Sequence, residues 1–171
     1  GAITTPGIYR IPFMEDPANT LRGKHGSAAL APEIGVIRPF RYIEVETCPY
    51  RMTRNRIRKI AISYPLDRKS AAFVCDWPEL EKVWKFSKNS LESATFAGVF
   101  VDGERQRIAN EMNAWMQQAG HCALYGDYTL QRFSQAYLRK RPSESPFGIP
   151  FAVMMAYRDY QYTGDRRFIP F

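Results

Sequence analysis

The hydrophobic period of this chain changes once, at Asp76, and that change limits what the chain can fold into. Before it, RYIEVE (41–46) alternates, with Tyr42, Glu44 and Glu46 on one side and Ile43 and Val45 on the other. IYRIPF (8–13), IRKIAISY (57–64) and AAFVC (71–75) are rich in β-branched and aromatic residues, so all four stretches read as strands. Gly/Pro-rich text from Met14 to Pro39 reads as a long connection, and PLDRKS as a turn. After Asp76 the apolar residues recur at helical spacing.

Four helices are expected in that second part. In DWPELEKVWKFSKNSLESATF the stripe is Leu80, Val83, Trp84, Ser87, Leu91 and Ala94. Asp76 with Glu79 forms a capping-box pattern, Pro78 suits a first turn, and Gly98 suits a stop. A second helix covers Glu111 to Ala123, with Met112, Trp115, Met116 and Ala119 on its stripe. Gly126-Asp127 ends it and caps a third, from Tyr128 to Arg139, whose stripe is Leu130, Phe133, Tyr137 and Leu138. After the PSESPFGIP loop a fourth runs from Phe151 to Tyr160, followed by a TGD turn at 163–165. The expected class is therefore α+β: β-sandwich-like strands and linker over 1–75, then antiparallel helical hairpins over 76–171. Such hairpins resemble the opening of a stacked or toroidal array, which needs several pairs to bury its faces. Four helices leave apolar surface that a homodimer or further helices would cover.

Composition excludes several function classes. With 45% apolar residues the chain can bury a core. No apolar run approaches the roughly 20 residues of a membrane span, and GAITTPGIYR has no signal-peptide character. No membrane partner is expected, and cytoplasm, periplasm and secretion all stay open. Cys48, Cys75 and Cys122 are far apart with no CxxC, which gives neither a disulfide framework nor a zinc site. His25 and His121 are too isolated for a metal site or a Ser/His triad and read as structural; no cofactor is expected. The net charge of +7 raises nucleic-acid binding. Its densest run, RMTRNRIRK (51–59), places Arg54, Arg56 and Arg58 on one face of a strand, a solvated sheet face without interleaved aromatics. RKR (139–141) suits the negative end of a helix dipole. No nucleic-acid partner is expected.

The densest chemistry lies in VFVDGERQRIANEMNAW (99–115), where an apolar run gives way to acids, arginines and amides ahead of a helix. Carboxylates are favoured at a helix N-terminus by its dipole, which accounts for Asp102 and Glu104 without any catalysis. Arg105 and Arg107 are then left to pair with these acids or with a carboxylate from elsewhere.

FRYIEVE, then AAFVCDWPELEKVWKFSKNSLESATFAGVFVDGERQRIANEMNAW, then the PSE loop and YQYTGD together resemble the bacterial α-L-rhamnosidases, inverting glycoside hydrolases with an (α/α)6 catalytic barrel. The resemblance spans roughly residues 36–168 and implies a fragment that crosses from a β-sandwich domain into the first barrel helices. It implies that Asp102 holds sugar hydroxyls, that Arg105 follows it, that Gln106 occupies the general-acid position and that Asn113 occupies the place of a second Asp. Glu104 and Glu111 are the acids near enough to serve instead, and Ser143 and Glu144 fall on the pocket rim. The general base would lie beyond Phe171. The implied partner is a rhamnose-containing glycan or glycoside, together with the rest of a barrel.

Gln106 and Asn113 depart from the family at the two places where acid matters. Inverting hydrolysis needs one carboxylic acid to protonate the leaving oxygen and a carboxylate to activate water. A Gln amide donates hydrogen bonds but transfers no proton near neutral pH. The expected activity is accordingly a rhamnosidase-type glycoside hydrolase in inactive form. The alternatives are a non-catalytic carbohydrate-binding module and, last, a basic nucleic-acid binder.

Overall fold

The computed structural model describes residues 5, 7–12, 28, 30–35, 37, 40–46, 48–102 and 107–169. Among them the regular structure is helical only, and the expected β-sandwich is absent. Helix α1 spans Pro78–Ser93, α2 Glu111–Leu124, α3 Thr129–Lys140 and α4 Gly148–Thr163, with 3-10 turns at Arg54–Arg56 and Arg166–Phe168. The α+β class is thus corrected to an all-helical one among the described residues. The physical reason is pairing. A strand exists only with a ladder partner, and Tyr42, Ile43, Val45, Ile57 and Ile60 lie exposed, with no ladder on either side. Alternation alone identified segments able to form strands, not segments that have found a neighbour. The basic run is corrected likewise: Arg54 and Arg56 sit in a 3-10 turn rather than on a strand face.

The helices fall close to their expected positions, with differences at the caps. Helix α1 starts after Trp77 without a side-chain cap. The reach-back carboxylate is Glu81, accepting from Cys75 N at 3.3 Å, rather than the Asp76/Glu79 box. Gly98 has φ +71°, which a glycine adopts without a Cβ clash. Asp127 Oδ1 accepts from Thr129 N at 2.9 Å and so satisfies a free amide at the start of α3. Helix α4 begins three residues earlier than expected. Pro150 is tolerated there because first-turn N–H groups have no helical acceptor. Gly164, at φ +67°, ends α4 and sends its N–H to Tyr160 O.

The core forms where α1, α2, α3 and α4 close around the non-helical segment Val99–Val101, whose three side chains are essentially fully buried. That segment has to satisfy its own amides and carbonyls inside the protein. Phe100 N donates to Ser134 Oγ at 3.0 Å, Val101 N to Ala94 O at 3.1 Å, and Val101 O accepts from Gln117 Nε2 at 2.5 Å. Leu130, Leu138, Met155, Ala109 and Ala114 pack around it. Each buried large apolar side chain there contributes about 1.5–3 kcal/mol relative to exposure.

Much of the remaining interior is polar. Gln118, His121, Gln131, Ser134 and Asp159 are fully buried, while Met112, Met116, Phe133, Val153, Met154 and Tyr157 face solvent. The stripes read for α2 and α3 are corrected on this point: Met112, Met116 and Phe133 lie outside, and amides lie inside. Trp84 and Trp115 are half-buried, Trp84 stacking on Phe73 at 6.1 Å between ring centroids. Asp159 ties the far end together. It accepts from Gln131 Nε2 at 2.8 Å and from Arg132 through Nε and Nη2, at 3.1 and 3.0 Å. Arg132 also reaches Thr163 and Asp165, and stacks over Phe168 at 4.2 Å. The Arg167 and Arg132 guanidiniums hold the Asp165 carboxyl well below the usual carboxylate range.

Removing one member of a buried, forked pair leaves the other charge without its counterion. Asp159→Ala should lower unfolding stability by about 3 kcal/mol, read as a lower urea midpoint at unchanged slope. A loss under about 1 kcal/mol would show that the Asp159–Arg132 fork does not hold α3 to α4.

Candidate functional site

The VFVDGERQRIANEMNAW stretch leaves the core at Asp102 and re-enters a helix at Glu111. Its two flanks are stitched together. Asp102 N donates to Ile108 O at 3.2 Å, and Asp102 Oδ1 accepts from Ile108 N at 3.2 Å. Asp102 therefore spends one carboxylate oxygen closing its own loop. Glu104, Arg105 and Gln106 lie outside the described residues. Arg107, directly after them, has φ +54°, a left-handed conformation uncommon for a residue with a Cβ. Its backbone is held from outside by Ala28, whose N–H donates to Arg107 O at 2.9 Å. The Arg107 guanidinium lies 5.9 Å from the Phe96 ring centroid.

Helix α2 then starts with a side-chain cap. Asn110 Oδ1 accepts from Asn113 N at 2.9 Å, which satisfies one of the free first-turn amides. This assigns a structural role to the start of the ANEMN stretch. Asn113 itself is half-buried in that first turn. An acid there would gain from the helix dipole, and the amide forgoes that gain.

Glu111 is the buried acid of the region, at 3% exposure. Its carboxylate accepts from the backbone N of Ser143 at 3.0 Å and from the Ser143 hydroxyl. Gly148, the first residue of α4, lies so close that a Cβ there would sit 3.2 Å from Glu111 Oε2. Glycine at 148 is thus what allows the carboxylate to reach the loop. Glu111 and Ser143, 32 residues apart in sequence, are brought together. Glu144 is exposed and has no such role. Beside this pin, Trp115 packs against Phe151 at 5.4 Å between centroids, and Arg158 lies 4.9 Å over the Trp115 ring while donating to Trp115 O at 2.6 Å. Trp115 is occupied by protein partners and offers no open ring for a sugar.

Chemically, the described acids of this region act as acceptors for backbone amides. Among the described residues no group of three His, Cys, Asp or Glu side chains is placed to hold a metal ion. No helix of the structure is long and apolar enough to cross a membrane. Sequence reasoning missed Asn110, Gln117, Gly148 and the left-handed backbone of Arg107. An Asn directly before a helix start was a legible capping signal. The left-handed Arg107 and the contact of Gly148 with Glu111 depend on tertiary packing and had none. Compared with known proteins, the chain matches no family model, no curated protein and no solved structure.

A hydrogen bond to a charged group contributes about 1.5–3 kcal/mol. A double-mutant cycle with Glu111→Ala and Ser143→Ala should give a coupling of about that size, read from urea unfolding of the four proteins. Additive losses would dismiss the pin. Glu111→Ala should also cost more than Ser143→Ala, because it frees the Ser143 amide as well as the hydroxyl.

Proposed function

We propose that this chain belongs to an α-L-rhamnosidase-type glycoside hydrolase in inactive form, and that its sequence stretch 102–106 contributes to binding a terminal α-L-rhamnosyl residue without cleaving it. What supports the reading is the commitment of the neighbouring acids. The Glu111 carboxylate is filled by Ser143, and Asp102 is engaged with Ile108. An acid that holds a loop in place through its charged form is poorly suited to deliver a proton from its neutral form. With Gln at 106 and Asn at 113, neither family acid position carries an acid. The hydroxyl-binding chemistry is a separate matter. It needs donors and acceptors rather than a titrating group, and Arg105, Gln106 and Asn113 retain them. The pin between Glu111 and Ser143 holds the 142–147 loop against the start of α2, which gives such a site a fixed rim.

Titration of the protein with L-rhamnose, followed by NMR, should give saturable shifts in the millimolar range. Arg105→Ala should weaken the apparent affinity by about tenfold, the size of one lost charge-assisted hydrogen bond. An aryl α-L-rhamnoside should stay intact over the same period. A titration flat to high millimolar sugar would sink the binding reading, and turnover of the aryl glycoside would sink the inactive one.

A further inference from the structure

The C-terminal end of α2 carries a buried group that neither the loop at 102–106 nor its rim uses. His121 is fully buried. Its ring packs edge-on against Phe100, with centroids 5.8 Å apart, and tilted against Tyr125 at 5.1 Å. Ring Nε2 lies 2.6 Å from the carbonyl oxygen of Asp127. A carbonyl only accepts, so Nε2 carries the proton, and in the neutral ring Nδ1 is the bare acceptor. Nδ1 is buried and has no hydrogen-bond partner among the described residues. The second proton of an imidazolium would therefore be a buried N–H with nothing to receive it, beside the desolvation of a charge.

What lies above this ring gives the cost a consequence. Residues 125–128 form the turn between α2 and α3, and the segment Tyr64–Ala71 is bonded to Leu124, just before that turn, and to α1, to which the turn is itself tied through Tyr125. Ser70 Oγ donates to Leu124 O at 2.5 Å. Tyr125 Oη donates to Glu92 of α1 at 2.9 Å, and Glu92 in turn pairs with Arg68 at 3.1 Å. Lys88 of α1 donates to Arg68 O at 2.6 Å and lies over the Tyr125 ring at 5.9 Å. The Nε2–Asp127 bond fixes this turn from below.

We propose that His121 is an acid-operated latch: protonation at Nδ1 drives the ring out from beneath the 125–128 turn, breaks its bond to Asp127 O, and releases the Tyr64–Ala71 segment from the helices. The proton comes from solvent, and no other bond is made or broken. Of the charged and titratable groups around the ring, Asp127 acts on it directly, against burial. Asp127 lies on the turn itself, its carboxyl held below the ordinary range by Thr129. Glu92 and Lys88 face it from α1 by way of Tyr125, whose hydroxyl is pushed up by burial and by Glu92. Arg68 and Tyr64 come from the released segment, Tyr64 being raised by burial and by Asp127. From α4, Asp159 and Arg158 act on the neighbouring Cys122, whose thiol burial pushes up to about 11. Desolvation outweighs the Asp127 carbonyl and carboxylate and places the His121 pKa below the ordinary value. A folded pKa lowered in this way leaves the latch closed above the ordinary value of about 6.5 and weakens it as pH falls below that value.

Hydrogen exchange at pH 7.5 and pH 5.5, corrected for intrinsic rates, tests this. In the native chain, amide protection over 64–71 and 121–132 should fall several-fold, up to about tenfold, at the lower pH while far-UV CD holds constant. His121→Gln keeps an N–H for Asp127 O and cannot take the proton, so its protection should stay level. His25→Gln should respond as the native chain does. Equal loss of protection in His121→Gln, or no loss in the native chain down to pH 5, would overturn the proposal. If His121→Gln fails to fold, imidazole 15N shifts of the native protein decide. Protonation of His121 coincident with loss of protection supports the latch, and protonation with the 64–71 amides still protected overturns it.

Discussion

Everything else in the molecule is arranged around three buried residues that belong to no helix. Val99, Phe100 and Val101 supply the centre of the apolar core, yet their backbone lies outside any helix or ladder. An unpaired buried amide or carbonyl costs about 1–3 kcal/mol, comparable with what one such side chain gains by burial. The segment can be buried only because Ser134 and Gln117 supply the missing partners and Ala94 closes the turn behind it. This requirement explains part of an interior that would otherwise look poorly chosen. Ser134 of α3 and Gln117 of α2 turn inward to this segment, while Gln118 and Gln135 bond Met155 O, Gln131 bonds Asp159 and His121 bonds Asp127 O.

That inversion is also why the interior was hard to read from the sequence. Apolar period located all four helices to within a few residues, since 3.6-residue spacing survives whichever face is buried. The choice of face did not follow. On α2, Met112, Met116 and Ala119 form the more apolar stripe and lie outside, while Ala114, Gln118 and His121 lie inside. A stripe of methionines marks the core only when burial is decided by transfer energy alone. Here the partner requirement of the Val99–Val101 backbone and of Met155 O, which accepts from both Gln118 and Gln135, competes with it. The strands failed for a different reason: alternation is a local property, and pairing is not.

The 102–113 stretch and the PSE loop stood out separately in the sequence, and the structure joins them at one point, Glu111 with Ser143. The sequence cannot distinguish a carboxylate aimed at a ligand from one aimed at a backbone amide, because both favour the first turn of a helix. Gly148 shows how such a distinction is made. Its lack of a Cβ admits Glu111 to the loop, and nothing local to Glu111 announces that a glycine 37 positions later will stand beside it.

Helix α2 connects the two features that matter most. Its first residue, Glu111, holds the loop before α4, and its last turn carries His121 beneath the turn before α3. Ten residues along the helix separate Glu111 from His121 by about 15 Å. Over that distance a helix behaves as a stiff strut, so disturbance at one end is felt at the other only if the whole helix shifts. Gln118, midway and fully buried, resists such a shift by donating to Met155 O of α4, and Arg158 of α4 grips Trp115 one turn earlier. A local opening at His121 is therefore decoupled from the Glu111 pin. Acid releases the segment ahead of α1 and leaves the Glu111–Ser143 pin where it is. Two-ended anchoring with a clamped middle is what lets one helix carry a fixed pin and a movable contact together.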